Sequence, residues 1–86
     1  MNLDLKEQII QRLNFTFQPE ILMVRDDSAL HAGHAGNTLG AGHFYIEIKS
    51  SAIAQLKRIQ QHQRIYACLQ EFFPAQIHAL EIKILK

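Results

Sequence analysis

Histidine is the residue type best suited to chemistry in this sequence, and it occurs five times in 86 residues. Three histidines lie in or beside a glycine-rich segment, one lies in a later helical segment and one lies near the C-terminal end: His31, His34, His43, His62 and His78. Imidazole is the commonest neutral metal ligand, and its charge changes close to physiological pH. The histidines are therefore the first candidates for a binding site.

The segment His31-Ala32-Gly33-His34 places two imidazoles three residues apart on backbone rich in glycine. Backbone of this kind can turn both rings toward one metal ion. The same spacing without neighbouring cysteines also occurs in solvated loops that bind nothing. Both interpretations of this segment stay open at this point.

His78 lies at the entry to a predicted C-terminal strand. Strict alternation predicts that it shares a strand face with Leu80, Ile82 and Ile84. One interpretation is a histidine at the edge of the core whose ring bonds to backbone. The other is functional, because a side chain at a strand end can leave the core and reach a partner.

Catalytic groupings are poorly supported. Ser28 lies near Asp27 and His31 but lacks the strand-turn-helix elbow that activates a nucleophilic serine. Cys68, the single cysteine, falls within an apolar helical stripe, where a thiol acts as a small hydrophobic group. The glycines precede a strand and contain no phosphate-binding Gly-x-x-x-x-Gly-Lys-Ser/Thr motif. We therefore predict that this protein is not an enzyme.

Composition predicts one small folded domain spanning residues 1–86. Hydrophobic residues make up 48% of the chain and charged residues 20%, which is typical of a chain that folds. The formal net charge of +1 gives no strong field for polyanions. No apolar run approaches the roughly 20 residues of a membrane span, and the N-terminus lacks a secretory signal. With one cysteine, these features predict a cytoplasmic protein without a membrane partner.

The first half of the chain predicts a helix and two strands. Asn2 can cap a helix whose apolar positions run from Leu5 to Leu13, and the period breaks after Asn14. A mostly apolar strand follows from Glu20 to Asp26. Residues 29–42 contain all four glycines and are predicted to form a mobile loop. His43 to Lys49 then alternates as a second strand.

The second half predicts two helices and a strand. Ser50 and Ser51 can cap a short helical turn. A longer helix that ends at Pro74 is predicted to bury one stripe of apolar residues: Ile59, Ile65, Tyr66, Leu69, Phe72 and Phe73. Residues 77–85 alternate as a third strand. A loop between the first two strands and a helical crossover to the third predict an α+β fold in α-β-β-α-α-β order, with a mixed three-stranded sheet and helices on one face.

Several spaced motifs together resemble the BolA family. They comprise a strand ending in Asp-acid-Ser, a loop histidine, a His-Phe strand start, a His-x-Arg-x-Tyr helix and a His-Ala-Leu strand: Val24 to Ser28, His31, His43-Phe44, His62 to Tyr66 and His78 to Leu80. The resemblance covers nearly the whole chain. It implies a fold similar to the second class of KH domain, which agrees with the element order derived from periodicity.

The resemblance also implies a function. Members of this family form complexes with monothiol glutaredoxins, some bridged by a [2Fe–2S] cluster, and others are described as transcriptional regulators. By motif position, His78 matches the family's strand histidine and His31 its loop ligand, with His34 as an alternative loop ligand. The implied cofactor is a [2Fe–2S] cluster shared with glutaredoxin and glutathione, and none in the isolated chain. Ile53-Ala54-Gln55 replaces the family's Phe-x-Gly turn, and the glycine loop is longer than in some members.

Nucleic-acid binding through the KH-like fold is the alternative function, with DNA as the partner. KH domains grip the phosphate backbone with a Gly-x-x-Gly turn between two helices, and residues 50–58 contain no glycine. The cations available for a weak DNA contact are Lys49, Lys57, Arg58 and Arg64. Near-neutral net charge favours a simpler interpretation of these cations as a solvated surface.

Overall fold

The computed structural model describes residues 4–28 and 42–86. Its elements, in chain order, are helix α1 (Leu5–Phe17), strand β1 (Ile21–Asp26), strand β2 (Gly42–Lys49), helix α2 (Arg58–Cys68), a 3-10 helix (Gln70–Phe72) and strand β3 (Ile77–Ile84). The α+β class and the order of the main elements are confirmed. The predicted mobile loop lies outside the described residues, except for Gly42, which begins β2.

Helix α1 begins and ends differently from the prediction. Asp4 caps it, because its carboxylate accepts a hydrogen bond from the backbone N–H of Glu7 at 2.8 Å. The helix continues past Asn14 to Phe17, which is 6% exposed. Phe17 follows Leu13 by four residues, so it extends the buried stripe by one turn. Gln18 then ends the helix in the left-handed conformation, with φ of 45°.

The sheet has the order β1-β2-β3 and is mixed, as predicted. Strand β2 is antiparallel to β1 and parallel to β3, and Ile46 lies opposite both Val24 and Ile82. Phe44, Ile46 and Ile48 of β2 are buried, whereas its alternate residues are half-buried. One face of the sheet therefore packs on the helices and the other faces solvent.

The core lies between this face and the two helices. Its largest fully buried side chains come from every layer of the fold: Ile9, Leu13, Ile46, Ile48, Ile53, Ile65, Leu69 and Ile77. Burying one such side chain contributes roughly 1.5–3 kcal/mol. The core thus fixes the sheet on one side and leaves its other face free for polar groups.

The short helix predicted at Ser50 and Ser51 is a pair of successive turns. The N–H of Ile53 bonds to the Ser50 carbonyl at 3.2 Å, and the N–H of Leu56 bonds to the Ile53 carbonyl at 3.1 Å. Ser50 is buried, and its hydroxyl donates to the Phe17 carbonyl at 2.6 Å. These turns place Ile53 in the core, where it is 1% exposed.

The buried stripe of α2 also differs from the prediction. Ile59 is 67% exposed and Tyr66 is 41% exposed. Gln61 and Ile65 are the buried residues of this helix, and Leu69 follows them at the same spacing of four. The polar Gln61 is accommodated because its side-chain N–H donates to the Ile53 carbonyl at 2.9 Å.

Neither α1 nor α2 is long and apolar enough to cross a lipid bilayer, and the same holds for the 3-10 helix.

Candidate metal centre

His78 projects to solvent because β3 carries a bulge at its start. Gly42 lies opposite Ile77 and His43 lies opposite Ala79, so one step along β2 corresponds to two steps along β3. His78 is the extra residue. Ile77 fills the core at 0% exposure, whereas His78 is exposed. The predicted sharing of a face with Leu80, Ile82 and Ile84 is therefore wrong, because a bulge redirects the side chain at that point.

The bulge brings His78 beside His43, at the start of β2. Their ring centroids lie 5.2 Å apart, and the ring planes are inclined at 50°. His43 belongs to the solvent-facing residues of β2 and is half-buried, and its Nε2 atom is inaccessible to solvent. Alternation places His43 on that face, but its contact with His78 follows from the extra residue in β3.

The end of β1 is hydrogen-bonded to the backbone of His43 at the start of β2. The hydroxyl of Ser28 accepts a hydrogen bond from the His43 N–H at 3.2 Å, and the Asp27 N–H donates to the His43 carbonyl at 2.7 Å. Asp26 accepts a bond from the Ser28 N–H at 2.9 Å. The Asp-Asp-Ser sequence thus closes the end of β1 onto β2, and Ser28 has a structural role in this contact.

Gly42 fixes the other end of the segment that joins β1 and β2. Its N–H donates to the Gln76 carbonyl at 2.8 Å, which holds it against the start of β3. A Cβ atom at this position would lie 2.4 Å from Cε2 of Phe44. Phe44 is 4% exposed, so its ring has little room to move away. Glycine is required here because the ring packs directly over the backbone.

His31 and His34 lie outside the described residues. Within residues 4–28 and 42–86, no group of three or more His, Cys, Asp or Glu side chains is arranged to hold a metal ion. The segment that carries the two loop histidines runs from Ser28 to Gly42. Ser28 bonds to His43, and Gly42 bonds to Gln76 just before β3. Both ends of the segment therefore lie near the His43 and His78 pair.

A family model described as BolA-like protein matches residues 13–86. This chain belongs to the BolA-like family. Among curated relatives, the DNA-binding transcriptional regulator BolA of Haemophilus influenzae is 35% identical over 79 residues, which cover 91% of this chain and 74% of that protein. The human BolA-like protein 1 is 32% identical over 72 residues, and the chain spans about half of its length, 50%.

Solved structures of BolA-like proteins have the same fold. BolA1 from Arabidopsis thaliana superposes with a TM-score of 0.82 at 26% identity, covering 98% of this chain and 93% of that one. The BolA domain of SufE1 from the same plant superposes with a TM-score of 0.80 at 33% identity, covering 96% and 93%. The sheet and helices of the BolA-like chain are therefore those of its family.

A basic groove lies at the opposite end of β3 from His78. It has a volume of about 1040 Å³ and is lined by four cations, of which Lys49 and Arg58 were predicted for nucleic-acid contact and Lys83 and Lys86 were not. Glu20, Glu81 and His62 also line it. Lys57 and Arg64 are exposed and do not line the groove. The structure therefore brings together two of the four predicted cations, and it separates His62 from the His43 and His78 pair.

The solvent face of the sheet carries a network of charged and aromatic side chains. Arg25 bonds to Asp27 through two nitrogens, at 2.6 and 3.1 Å, and lies 4.5 Å from the ring centroid of Tyr45. The bond to Asp27 raises the pKa of Arg25. The hydroxyl of Tyr45 donates to Glu47 at 2.7 Å, and this bond raises the pKa of Tyr45. Both shifts favour the protonated form of the side chain.

Cys68 lies in the helical layer, where α2 faces α1. Its thiol contacts the hydroxyl of Thr16 at 3.3 Å and the Arg12 carbonyl at 3.7 Å. Arg12 in turn forms an ion pair with Glu71. Cys68 was predicted to be a buried thiol that acts as a small hydrophobic group; it packs between the helices but is only partly buried.

Proposed function

We propose that this BolA-like chain is a non-enzymatic adaptor that binds a monothiol glutaredoxin and shares a [2Fe–2S] cluster with it. The observation that carries the proposal is the bulge, which exposes the imidazole of His78 at the end of the sheet where residues 29–41 begin and end. An exposed imidazole is available to a metal centre held by a second protein.

Chain length supports His31 as the second ligand ahead of His34. Three residue steps separate His31 from Ser28, so their Cα atoms lie no more than about 11 Å apart. Ser28 bonds to His43, whose ring lies beside that of His78. His34 is six steps from Ser28 and has about twice that reach. Covalent geometry therefore limits the distance of His31 from Ser28 more tightly than that of His34, which favours His31 in this proposal.

Two imidazoles leave half of a cluster's ligand positions to be filled. Glutaredoxin and its bound glutathione would each supply a thiolate, since Cys68 of this chain is packed between the helices. Mixed nitrogen and sulfur ligation of this kind raises the reduction potential of a [2Fe–2S] centre relative to four thiolates. Ligands divided between two proteins also suit a cluster that must be passed on.

DNA binding is the second candidate function. It is supported by the name of the Haemophilus influenzae relative and by the four cations that line the basic groove. The groove lies beside the second half of β3, whereas His78 lies at its start. The two candidate functions therefore use different surfaces and can be tested separately.

Anaerobic reconstitution with a monothiol glutaredoxin and glutathione tests the first candidate. We expect the mixture to develop a visible circular dichroism spectrum that differs from that of glutaredoxin alone, and the isolated chain to acquire no stable cluster. Size-exclusion chromatography should place the cluster in the heterodimer. If the spectrum of the mixture is the sum of its separate components, the adaptor proposal is wrong.

A further inference from the structure

Strand β3 forms one edge of the sheet, so alternate backbone N–H and C=O groups of this strand point away from β2. The N–H of Leu85 bonds to the Ile48 carbonyl at 2.8 Å, so the backbone of Leu85 faces β2. The Leu80 carbonyl accepts a bond from the Tyr66 hydroxyl at 3.0 Å on the other side. Because direction alternates along a strand, the N–H and C=O groups of Leu80, Ile82 and Ile84 point away from β2.

This edge is open along its second half. Within the described part of the chain, the Tyr66 hydroxyl bonds to the outward side of Leu80, whereas the outward sides of Ile82 and Ile84 have no hydrogen bond to another segment. The basic groove separates these residues from α2. An uncovered strand edge is a template for another strand.

We infer that this edge pairs with the β3 edge of a second copy of the chain. The two strands run antiparallel about a twofold axis at Ile82, which joins two three-stranded sheets into one continuous sheet. Ile82 then lies opposite its own copy, and Leu80 lies opposite the partner's Ile84. Each of these positions presents outward N–H and C=O groups, so the register allows up to six backbone hydrogen bonds.

The charges on the solvent face select this register. With the axis at Ile82, Glu81 lies opposite the partner's Lys83 on both sides of the axis, which gives two attractive pairs. Moving the axis by one residue in either direction keeps the backbone pairing but places Glu81 opposite the partner's Glu81, or Lys83 opposite the partner's Lys83. Like charges directly opposite are destabilising, so these two neighbouring registers are disfavoured.

The apolar side chains agree with the same arrangement. Leu80 and Ile84 are partly buried against the core, and Ile82 is 9% exposed. Pairing places these residues side by side on the helical face of the joined sheet. The bond from Tyr66 does not prevent pairing, because a carbonyl oxygen can accept two hydrogen bonds. The contact is short, so the dimer is weak and depends on concentration. It does not depend on the proposed cluster.

Sedimentation equilibrium of the full chain from about 20 µM to about 1 mM tests the inference. The apparent mass should rise toward that of a dimer, and amide exchange at Ile82 and Ile84 should slow with concentration. Lys83→Glu should weaken the dimer by about tenfold, since it creates two like-charged pairs. Glu81→Lys combined with Lys83→Glu should restore it, because the opposite charges are exchanged.

Lys6→Glu is the matched control, since it changes net charge by the same amount on the exposed side of α1. It should leave dimerisation unchanged. A chain that stays monomeric at the highest concentration overturns the inference, and so does a dimer that is insensitive to Lys83→Glu. Amide exchange at Ile82 and Ile84 could instead be independent of chain concentration and slow only when an acidic extended peptide or a single-stranded oligonucleotide is added. The edge then has a different occupant and self-pairing is wrong.

Discussion

At the scale of single residues, one extra residue in β3 decides where the imidazole of His78 points. Regular alternation would direct it toward the helices with Leu80, whereas the bulge gives the core position to Ile77 and exposes His78 beside His43. His78 can therefore change without leaving a cavity in the core. Because the proposed ligand His78 is not the residue that packs in the core, its role can be tested by substitution without disturbing the core.

We expect His78→Ala to abolish the visible spectrum of the reconstituted heterocomplex. The thermal unfolding midpoint of the isolated chain should stay nearly unchanged, because surface substitutions usually alter stability by less than about 0.5 kcal/mol. His31→Ala should weaken the spectrum, and His34→Ala should have a smaller effect. His62→Ala, in the basic groove, is the control and should keep the full spectrum. A spectrum that survives His78→Ala unchanged would show that this histidine is structural.

The hydrogen bond from Tyr45 to Glu47 predicts that Tyr45 ionises, and that the bond is lost, only at alkaline pH. Its contribution to stability is present below the ordinary tyrosine pKa of about 10 and is lost as pH rises through the raised pKa of the folded chain. In a Tyr66→Phe background, absorbance titration should therefore show Tyr45 ionising above the ordinary value. Glu47→Gln should bring the pKa of Tyr45 back down. Equal pKa values with and without the Glu47 carboxylate would contradict this account.

At the scale of elements, the turns after β2 and helix α2 hold each other in place. The buried amide of Gln61 bonds to the Ile53 carbonyl, and Ile53 is inserted in the core. Ser50 bonds to the Phe17 carbonyl at the end of α1. Side-chain bonds to backbone thus replace the regular helical bonds that were predicted for this segment.

Gln61→Ala should lower the free energy of unfolding by about 0.5–1.5 kcal/mol, because it removes one of the two hydrogen bonds that the buried Ile53 carbonyl accepts and leaves only that from the Leu56 N–H. Urea unfolding followed by far-ultraviolet circular dichroism measures the change. Gln63→Ala, at an exposed position of the same helix, is the matched control and should change stability little. Equal effects of the two substitutions would mean that the Ile53 bond contributes nothing measurable.

At the scale of the whole molecule, charge is unevenly distributed although the total is close to neutral. The formal net charge is +1, but four cations and two carboxylates line one groove. The groove lies beside the second half of β3, whereas His78, with His43 beside it, lies at the start of that strand. A partner that holds a cluster and a partner that carries phosphates would therefore approach different ends of β3.

Any affinity for duplex DNA should be weak, independent of sequence and strongly dependent on salt. Four phosphate contacts in the groove predict that the logarithm of the association constant falls with the logarithm of salt concentration at a slope of about −3 to −4. Fluorescence anisotropy at several salt concentrations measures this slope. Arg58→Ala with Lys83→Ala should reduce its magnitude by about 2. Lys57→Ala with Arg64→Ala, which removes exposed cations outside the groove, should have little effect. Nanomolar binding to one specific sequence at physiological salt would favour the regulator function instead.

The sequence by itself determined the order of the main elements, the mixed sheet and which residues of β2 face the core. Phe44, Ile46 and Ile48 alternate with polar neighbours, and this period is set by the strand backbone whatever the rest of the chain does. The crossover through α2 fixed the parallel pairing of β2 and β3 for a similar reason, since connection length limits topology. These features depend on local periodicity and on connectivity, which the sequence contains.

Only the tertiary structure decided which side chains meet. The bulge at His78 arises because Ile77, one position earlier, fills the core next to Gly42, and no period in residues 77–84 marks that shift. Gln61 is buried because a carbonyl from another segment lies within reach of its amide. Both outcomes depend on contacts between residues distant in sequence, where packing outweighs the local pattern. The same dependence brought His43 to His78 and collected Lys83 and Lys86 into the basic groove.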